Sequence, residues 1–310
     1  LGVGKAMDVL SAMGVFVRVV DRQSFSLAAA ELSISSSSVS KQISHLEQHV
    51  GARLLQRTTR RLNVTEVGAA YYEKCQQILS EVEEAENLVS QLQGKPRGVL
   101  RINCNMTFGQ LLLSKAIPEF MEQYPDIQFD VTLDDGDVDL IRDGFDLALR
   151  ITNPKLPDSS LIAREIASIP MFICASPEYL ALNGCPKTPE DLKDHNCLVF
   201  MLASNANSWT LASEDGPQTV QVSGDLKANN SLVVRQAVLA HRGLANLASF
   251  VIERFVEADQ IKVLFPGYEP ERLSLFAIYP DRKYMSPKVS LFIEFFKEWL
   301  EINLQQEFMM

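Results

Sequence analysis

The polar face of one short amphipathic segment is the first place in the sequence where side chains could do chemistry. Apolar residues repeat along one face of residues 39–50, at Val39, Ile43, Leu46 and Val50. They lie within about 40° of one line at the helical 100° per residue. The opposite face consists of Ser37, Lys41, Ser44, His45 and Gln48. A short, polar and basic helix face of this kind suits contacts with phosphates and base edges.

A basic cluster follows within ten residues. Residues 52–65 alternate like a short β-hairpin, with apolar anchors at Leu54, Leu55, Leu62 and Val64. Its tip, residues 57–61, reads RTTRR. Taken alone, such a tip is a solvated charged turn. Beside the polar helix, the pattern favours a β-wing that touches phosphates or the minor groove of DNA.

Three helices are needed to position these side chains. A 3–4 apolar spacing over residues 8–20 predicts the first, and Ser26 is the expected N-cap of a short alanine-rich second helix. The run SISSSS then leads into the third, which Gly51 ends as a left-handed cap. The serine run is also the composition of a flexible linker. Periodic helices flank it closely on both sides, so we predict a helix-turn-helix, with residues 39–50 in the major groove.

The charge distribution agrees with a nucleic-acid partner for this segment alone. The chain of 310 residues has a net charge of −10. Residues 1–65 hold eight basic and four acidic side chains, so they carry +4 and the rest carries −14. Such asymmetry indicates a polyanion-binding arm on an acidic body.

The sequence from Val15 to Gly68 closely resembles the DNA-binding domain of the LysR family of bacterial transcription regulators. The matching pieces are FVRVVDRQSFSLAAAELSIS and SVSKQISHLEQHVGARLLQRTTRRLNVTEVG, together with their spacing. The resemblance implies a winged helix-turn-helix over residues 7–65. It places the DNA-facing positions at Ser36, Ser37, Ser38, Ser40 and Lys41, with Arg57 and Arg60 in the wing. This family often has larger residues where the chain has Ser36 to Ser38.

A long amphipathic helix is predicted next, over residues 66–93. Apolar or small residues repeat at a strict 4-3 spacing, at Tyr71, Cys75, Ile78, Val82, Ala85, Val89 and Leu92. A seam so narrow favours pairing with a second copy over burial against the helix's own domain. The LysR resemblance implies the same, a linker helix that joins two subunits. GKPRG at 94–98 is the expected hinge.

The remaining residues, 99–305, alternate between predicted strands and helices. Strands are expected at 99–105, 127–133 and 145–151, with helices at about 109–124 and in DVDLIRDG between them. This order predicts a parallel α/β sheet. A second set begins near Ile166, with strands at 171–176, 197–200 and in LANLA, and helices at 178–183, 189–193 and 231–240. A strand at 274–280 and a helix at 286–300 return to the first set.

This part also resembles LysR effector domains, which have the two-lobed fold of periplasmic binding proteins. The matches are GFDLALRI, SPEYLALNGCPKTPEDLKDHNCLVF and YPDRKYMSPKVSLFIEFF. Lobe I would comprise about 99–165 and 266–305, and lobe II about 166–265. The chain departs from the family at His241, where Gly is usual, and at Ala248, where Pro is usual.

A ligand cleft is expected between the lobes, at the carboxyl ends of the strands. The predicted effector-binding residues are Asn105, Met106, Thr107, Thr152, Phe200, Asn230 and Ser249. Thr107 is the preferred one, because the start of a helix can hold an anion. Its alternative role is an ordinary N-cap, and Arg150 is expected to be a structural ion-pair partner. The predicted effector is therefore a small anionic metabolite of unknown identity.

Motifs of catalysis are not found in the sequence, so no catalytic residue, metal site or cofactor is expected. Cys104 is interpreted as a buried small residue rather than a nucleophile. Cys174, Cys185 and Cys197 share one lobe, so a thiol redox sensor is an alternative.

The function predicted from the sequence is a DNA-binding transcription regulator modulated by a small molecule. Its alternative is a cytosolic α/β enzyme or solute-binding protein with a helical dimerisation arm. The expected partners are an imperfectly palindromic duplex and a second copy of the chain, with RNA polymerase as a further candidate. The resemblance also implies tetramers. The absence of a signal peptide or apolar membrane span predicts a cytoplasmic location.

Overall fold

A computed structural model describes residues 8–57, 62–92, 96–152, 161–203, 205–213, 216–269, 271–280 and 285–304. The chain divides into two compact units with their boundary between Lys95 and Pro96, inside the expected hinge. Each unit is described by itself below.

The first unit begins with the three predicted helices. They are α1 (Val9–Arg22), α2 (Phe25–Glu31) and α3 (Ser36–Val50). The expectation that Ser26 caps the second helix is wrong. Ser24 is the N-cap, because its hydroxyl accepts the Leu27 N–H at 3.3 Å, and Ser26 bonds to the Ser24 hydroxyl instead.

The third helix ends and anchors the wing as its sequence suggests. Val39, Ile43 and Leu46 are buried in the core of the unit, and Gly51 ends the helix with φ 74°. Strands β1 (Leu55–Arg57) and β2 (Leu62–Val64) pair antiparallel. The wing tip between them lies outside the described residues.

The long helix α4 (Glu66–Leu92) follows the wing directly. The Thr65 hydroxyl accepts the Gly68 N–H at 2.9 Å and donates to the Arg53 carbonyl at 2.8 Å, which ties the start of α4 to the wing. A Cβ at Gly68 would lie 2.1 Å from the Leu54 carbonyl oxygen, so no larger residue fits there.

The apolar seam of α4 is divided between two environments. Tyr71 and Cys75 belong to the core of the first unit, and the Phe16 and Tyr71 rings lie 5.9 Å apart. Ile78 is 37% exposed and Ala85 is exposed. Burial against the helix's own domain therefore accounts for the first part of the seam. Of the later positions, Ile78, Val82 and Ala85 do not belong to that core.

The second unit is built on one sheet of nine strands. They are β3 (Gly98–Cys104), β4 (Ile127–Leu133), β5 (Leu147–Thr152), β6 (Leu161–Ala175), β7 (Cys197–Phe200), β10 (Lys227–Ala228), β11 (Leu244–Ala248), β12 (Lys262–Val263) and β13 (Glu271–Pro280). Their order is β10-β7-β11-β6-β13-β5-β3-β4, and β12 pairs with β6. Strands β3, β4 and β5 are parallel, as predicted.

Two long antiparallel strands, β6 and β13, run through the middle of this sheet and connect the two lobes. The sequence suggested only the last five residues of β6, within MFICAS. Strand β13 pairs with β5 of lobe I, and strand β6 pairs with β11 of lobe II. The expected lobe boundary at 165–166 lies within β6.

Helices cover the sheet and include both expected and unexpected ones. They are α5 (Met106–Phe108), α6 (Ser114–Gln123), α7 (Pro177–Asn183), α8 (Ser231–Leu239), α9 (Ser249–Glu257) and α10 (Pro287–Asn303), with a π turn at Gly109–Leu113 and a 3₁₀ helix at Pro189–Asp194. The helix after β3 thus starts at Met106, three residues earlier than predicted. Helix α9 and the hairpin β8 (Ser208–Ser213) and β9 (Gly216–Gln221) were not predicted.

The predicted helix in DVDLIRDG is wrong, because the segment forms only turns. The Asp139 side chain accepts the Arg142 N–H at 3.0 Å, and the Asp139 carbonyl accepts the Asp143 N–H at 2.8 Å. Gly144, with φ 74°, then redirects the chain into β5. One turn makes too few backbone hydrogen bonds to propagate as a helix.

Candidate functional site

The exposed face of α3 is the first candidate site. Ser36, Ser37 and Lys41 are exposed, whereas Ser38 and Ser40 are half-buried. The helix begins at Ser35, whose hydroxyl accepts the Ser38 N–H at 3.1 Å and lies 2.9 Å from the Ser37 hydroxyl. The serine run is therefore a helix start and not a linker, and its hydroxyls surround the positive end of the helix dipole.

The one acidic residue of α3 is turned away from that face. A carboxylate oxygen of Glu47 accepts the backbone N–H groups of Leu54 and Leu55, at 2.9 and 3.1 Å. This carboxylate fixes the wing to α3. The exposed face keeps its basic character as a result.

Some basic side chains of the first unit form ion pairs within the unit, whereas others are free to contact DNA. Arg18 and Arg22 both pair with Glu31, at 3.2 and 2.6 Å, and Arg18 also lies 3.8 Å from Asp21. Within the described part of the chain, Lys41 and the exposed Arg53 form no such pair. Positive charge is thus available at α3 and at the base of the wing, where phosphates would be met. Arg53 was not singled out from the sequence.

The two predicted wing arginines cannot be placed as side chains. Arg57 is the last residue of β1, and its side chain lies outside the described part. Arg60 belongs to the wing tip, which also lies outside it.

The second candidate site is a cleft of about 780 Å³ within the second unit. Its walls come from the ends of β3 and β5, the loop after β4, the starts of α8 and α9, and the central strands β6 and β13. Apolar side chains dominate the lining, among them Phe108, Phe200, Leu202, Trp209, Phe250 and Ile278. Volume and lining are those of a small-molecule site.

The structure brings four of the seven predicted effector residues into this cleft. Asn105, Thr107, Thr152 and Phe200 line it. Met106, Asn230 and Ser249 lie outside the lining. Asn230 caps α8 through its side chain, and its Nδ2 lies 3.7 Å from the Met106 sulfur. Ser249 is buried at the start of α9.

Thr107 occupies a position different from the one expected. It lies within the first turn of its helix, is 8% exposed, and its hydroxyl accepts a hydrogen bond from Ser231 at 3.1 Å. Ser231 begins α8 of the other lobe. The hydroxyl of Thr107 is therefore not an N-cap but one half of a contact across the cleft.

Arg150 lines the cleft beside these residues. Its guanidinium donates to the Leu149 carbonyl at 3.1 Å and to the side-chain oxygen of Asn103. Burial lowers the pKa of Arg150, and nearby carboxylates, chiefly Asp135, act in the opposite direction. The expected structural ion pair is replaced by hydrogen bonds to neutral acceptors, because no carboxylate of the described residues lies within 4 Å.

Several cleft residues were missed from the sequence. Asp135, Asp137 and Glu271 bring carboxylates to the lining, and Asn246 and Trp209 face it from lobe II. Asp135 and Asp137 follow directly after β4, so their place at a strand end was a usable signal. Trp209 belongs to the hairpin that the pattern did not reveal.

The cysteines do not form a reactive cluster. Cys104, Cys174 and Cys197 are buried, and Cys185 is exposed. Burial raises the pKa of each of the three buried thiols to about 12. The described residues contain no group of three or more His, Cys, Asp or Glu arranged to hold a metal ion. Nor does any helix among them have the length and apolar character needed to span a bilayer.

A helix-turn-helix unit joined to a two-lobed α/β unit with a cleft defines a class of protein, the ligand-responsive DNA-binding regulators. Comparison with family models agrees for both units. Residues 10–69 match the bacterial regulatory helix-turn-helix protein of the lysR family, and residues 93–301 match the LysR substrate binding domain. The chain belongs to the LysR family of transcriptional regulators.

Individual relatives match over nearly the full chain. An uncharacterised HTH-type transcriptional regulator of Haemophilus influenzae is 37% identical over 92% of this chain and 98% of its own. The structure of CrgA, a LysR-type transcriptional regulator from Neisseria meningitidis, is 32% identical with a TM-score of 0.60, covering 94% and 98% of the two chains. That of the Vibrio cholerae virulence activator AphB is 26% identical with a TM-score of 0.59, covering 93% and 98%.

Proposed function

We propose that two copies of this chain bind an imperfectly palindromic DNA site through the exposed face of α3. The observation that carries the proposal is the side chain of Lys41, which is exposed and unpaired within the described residues, beside the exposed hydroxyls of Ser36 and Ser37. Ser38 and Ser40 flank this face, and Arg57 and Arg60 reach phosphates from the wing. A two-fold dimer requires a two-fold site.

The second part of the proposal concerns the cleft. A small molecule that binds there shifts the population of lobe arrangements, and that shift alters DNA binding or activation. The 780 Å³ cleft, with Asn105, Thr107, Thr152 and Phe200 in its lining, supports this role. Met106, Asn230 and Ser249, the other three predicted effector contacts, lie outside this lining. The regulator needs no cofactor or catalytic residue, and it acts in the cytoplasm.

Replacing Lys41 with alanine tests whether this side chain contacts a base or a phosphate. If Lys41 reads a base, Lys41→Ala relaxes sequence preference and weakens binding to the selected site by about 1–3 kcal/mol. Arg22→Ala is the matched control, since it removes one positive charge that is held by Glu31 at 2.6 Å. Fluorescence anisotropy on selected and scrambled duplexes measures both. Unchanged selectivity in Lys41→Ala would reduce Lys41 to a phosphate contact.

Assembly through α4 is tested at Val82, which is half-buried and lies in the part of the seam beyond the first unit's core. Val82→Glu places an unpaired charge in the proposed helix pair, which costs several kcal/mol and separates the subunits. Gln77→Glu adds the same charge at an exposed position outside the seam. Sedimentation should show a smaller species for Val82→Glu alone. A wild-type oligomer in both variants would place the subunit interface elsewhere, as in a tetramer built from second-unit contacts.

A further inference from the structure

The charge of the cleft has the opposite sign from that expected for an anion site. Among the described residues, its lining holds three carboxylates, Asp135, Asp137 and Glu271, and one guanidinium, Arg150. With all four ionised, the lining carries two net negative charges. An anionic ligand would enter against this field, and a cationic ligand would be attracted by it.

Burial disfavours the charged form of Arg150, and neighbouring groups of the protein partly compensate for this. Two of its hydrogen-bond donors are directed to Leu149 and Asn103, and the carboxylates at Asp134, Asp135 and Asp137 favour its charged form. Its attraction for a ligand carboxylate is offset by the same three acidic groups. Arg150 therefore does not make the cleft an anion site.

The lining carboxylates differ in how much of their hydrogen-bonding capacity is free. One oxygen of Asp135 accepts from Asn105 Nδ2 and from the Met106 N–H, at 3.1 and 3.0 Å. Among the described residues, Glu271 accepts a single hydrogen bond, a long one from Asn205 at 3.5 Å. Asp137 is exposed and, within the described part of the chain, has no hydrogen-bond or ion-pair partner. Asp137 and Glu271 are thus available to a donor.

A separate observation also calls for a donor. The side-chain oxygen of Asn246, which lines the cleft, is buried and accepts no hydrogen bond from the described residues. A buried acceptor without a partner costs free energy that a donating ligand would recover. The unsatisfied oxygen and the excess of carboxylates would therefore both be satisfied by a ligand group that donates hydrogen bonds.

The apolar part of the lining indicates the size and polarity of the rest of the ligand. Phe108 and Phe250 meet edge to face with ring centroids 5.6 Å apart, and Trp209, Phe200 and Ile278 contribute further apolar surface. A volume of about 780 Å³ holds a molecule much larger than a short-chain metabolite. Apolar walls also strengthen the attraction between a bound cation and the carboxylates, because they lower the local dielectric constant.

We infer that the effector is an organic cation, with a hydrophobic body against the aromatic walls and a protonated amine directed to the carboxylates of the cleft. The inference rests on the proposed function, since it takes the cleft to be the effector site. It replaces the anionic metabolite expected from the sequence. The groups that select the cation are Asp137 and Glu271.

The test uses probes that share one body and differ in charge. 3-Phenylpropylamine, 3-phenylpropanol and 3-phenylpropionate are titrated into the full chain by calorimetry at pH 7, alongside the same three end groups on a naphthylethyl body. The amines should bind at least about tenfold more tightly than the alcohols, which corresponds to about 1.4 kcal/mol, and the carboxylates more weakly than both. Tighter binding of the carboxylates overturns the cation assignment and leaves the cleft as an effector site. If no probe of any charge binds saturably, the effector role of the cleft fails as well.

Paired variants locate the selecting groups. In Asp137→Asn combined with Glu271→Gln, the tenfold advantage of the amine over the alcohol should disappear while alcohol binding is unchanged. Glu122→Gln is the control, because it removes one exposed carboxylate of α6 outside the cleft and should leave both affinities as they were. An equal loss of amine and alcohol binding in the double variant would mean that these carboxylates shape the cleft without selecting charge, and would overturn the inference.

Discussion

The hydroxyl of Ser231 donates a hydrogen bond of 3.1 Å to the hydroxyl of Thr107. Ser231 begins α8 of lobe II, and Thr107 lies in the first turn of the helix after β3 in lobe I. Both side chains are buried. Thr107 accepts this bond and keeps its own O–H, so a ligand that accepts from Thr107 contacts a group that also bonds to the other lobe. Occupancy of the cleft and the contact between the lobes are therefore linked.

This contact predicts coupled effects on stability. Thr107→Val leaves the buried Ser231 hydroxyl without its acceptor, so the free energy of unfolding should fall by about 1–3 kcal/mol. Adding Ser231→Ala should restore part of that loss. Both tryptophans, Trp209 and Trp299, belong to the second unit, so their fluorescence during urea unfolding reports on that unit. Strictly additive effects in the double-mutant cycle would show that the two hydroxyls do not interact.

A buried ion pair predicts a larger effect at the start of α10. Lys288 is 1% exposed, and its ammonium lies 3.1 Å from Asp146 and donates to the Val99 carbonyl. Lys288→Met leaves the carboxylate buried and unpaired, so the second unit should lose about 3–5 kcal/mol. Lys297→Met, in an exposed pair with Glu301 on the same helix, should cost less than about 1 kcal/mol. Equal losses in urea unfolding would contradict the role given to burial.

His241 occupies the backbone position of a glycine. Its φ is 60°, and the N–H groups of His241 and Arg242 bond to Val238 and Ala237 to close the end of α8. The left-handed region favours Gly over Ala by about 1 kcal/mol. His241→Gly should therefore be more stable than His241→Ala by that amount, although both lose the 2.9 Å bond to Ser176. Equal thermal unfolding midpoints for the two variants would show that the left-handed backbone at His241 carries no cost.

The thiols give a pH-dependent prediction. Burial raises the pKa of Cys104, Cys174 and Cys197 to about 12, and that of Cys75 to about 11, so these groups stay protonated and unreactive at pH 8. Only Cys185 should react rapidly with a disulfide reagent in the folded protein, against all five after unfolding. Because the folded pKa values exceed the ordinary thiol value of 9.0, stability should decrease as the pH rises above about 9. A second fast thiol at pH 8 would revive the redox-sensor alternative.

Local patterns predicted most of the fold. The helical spacing at Val39, Ile43 and Leu46, the cap at Gly51 and the apolar strand runs all describe interactions between near neighbours, and the structure has each of them. Two family departures also agree with the structure. His241 adopts the left-handed backbone of the usual Gly, and Ala248 has φ −63°, which a Pro also adopts.

Two failures are local, the N-cap at Ser24 and the turns in DVDLIRDG, and the others concern interactions between distant parts of the chain. The first ten residues of β6 are mixed in polarity, and their pairing with β13 joins residues more than one hundred positions apart. The partner of Thr107 is 124 residues away, and Glu271 reaches the cleft from the start of β13. The net charge of a cleft depends on which loops meet there, so the three carboxylates of the lining could not be predicted from the sequence pattern alone.

The most direct test of the account is the binding of the full-length chain to DNA over a range of salt concentrations. Duplexes selected from genomic fragments should bind at least about a thousandfold more tightly than scrambled ones, and the affinity for both should fall steeply with salt as counterions are released. Anisotropy titrations measure both quantities. Equal affinity for selected and scrambled duplexes at every salt concentration would contradict sequence recognition by α3.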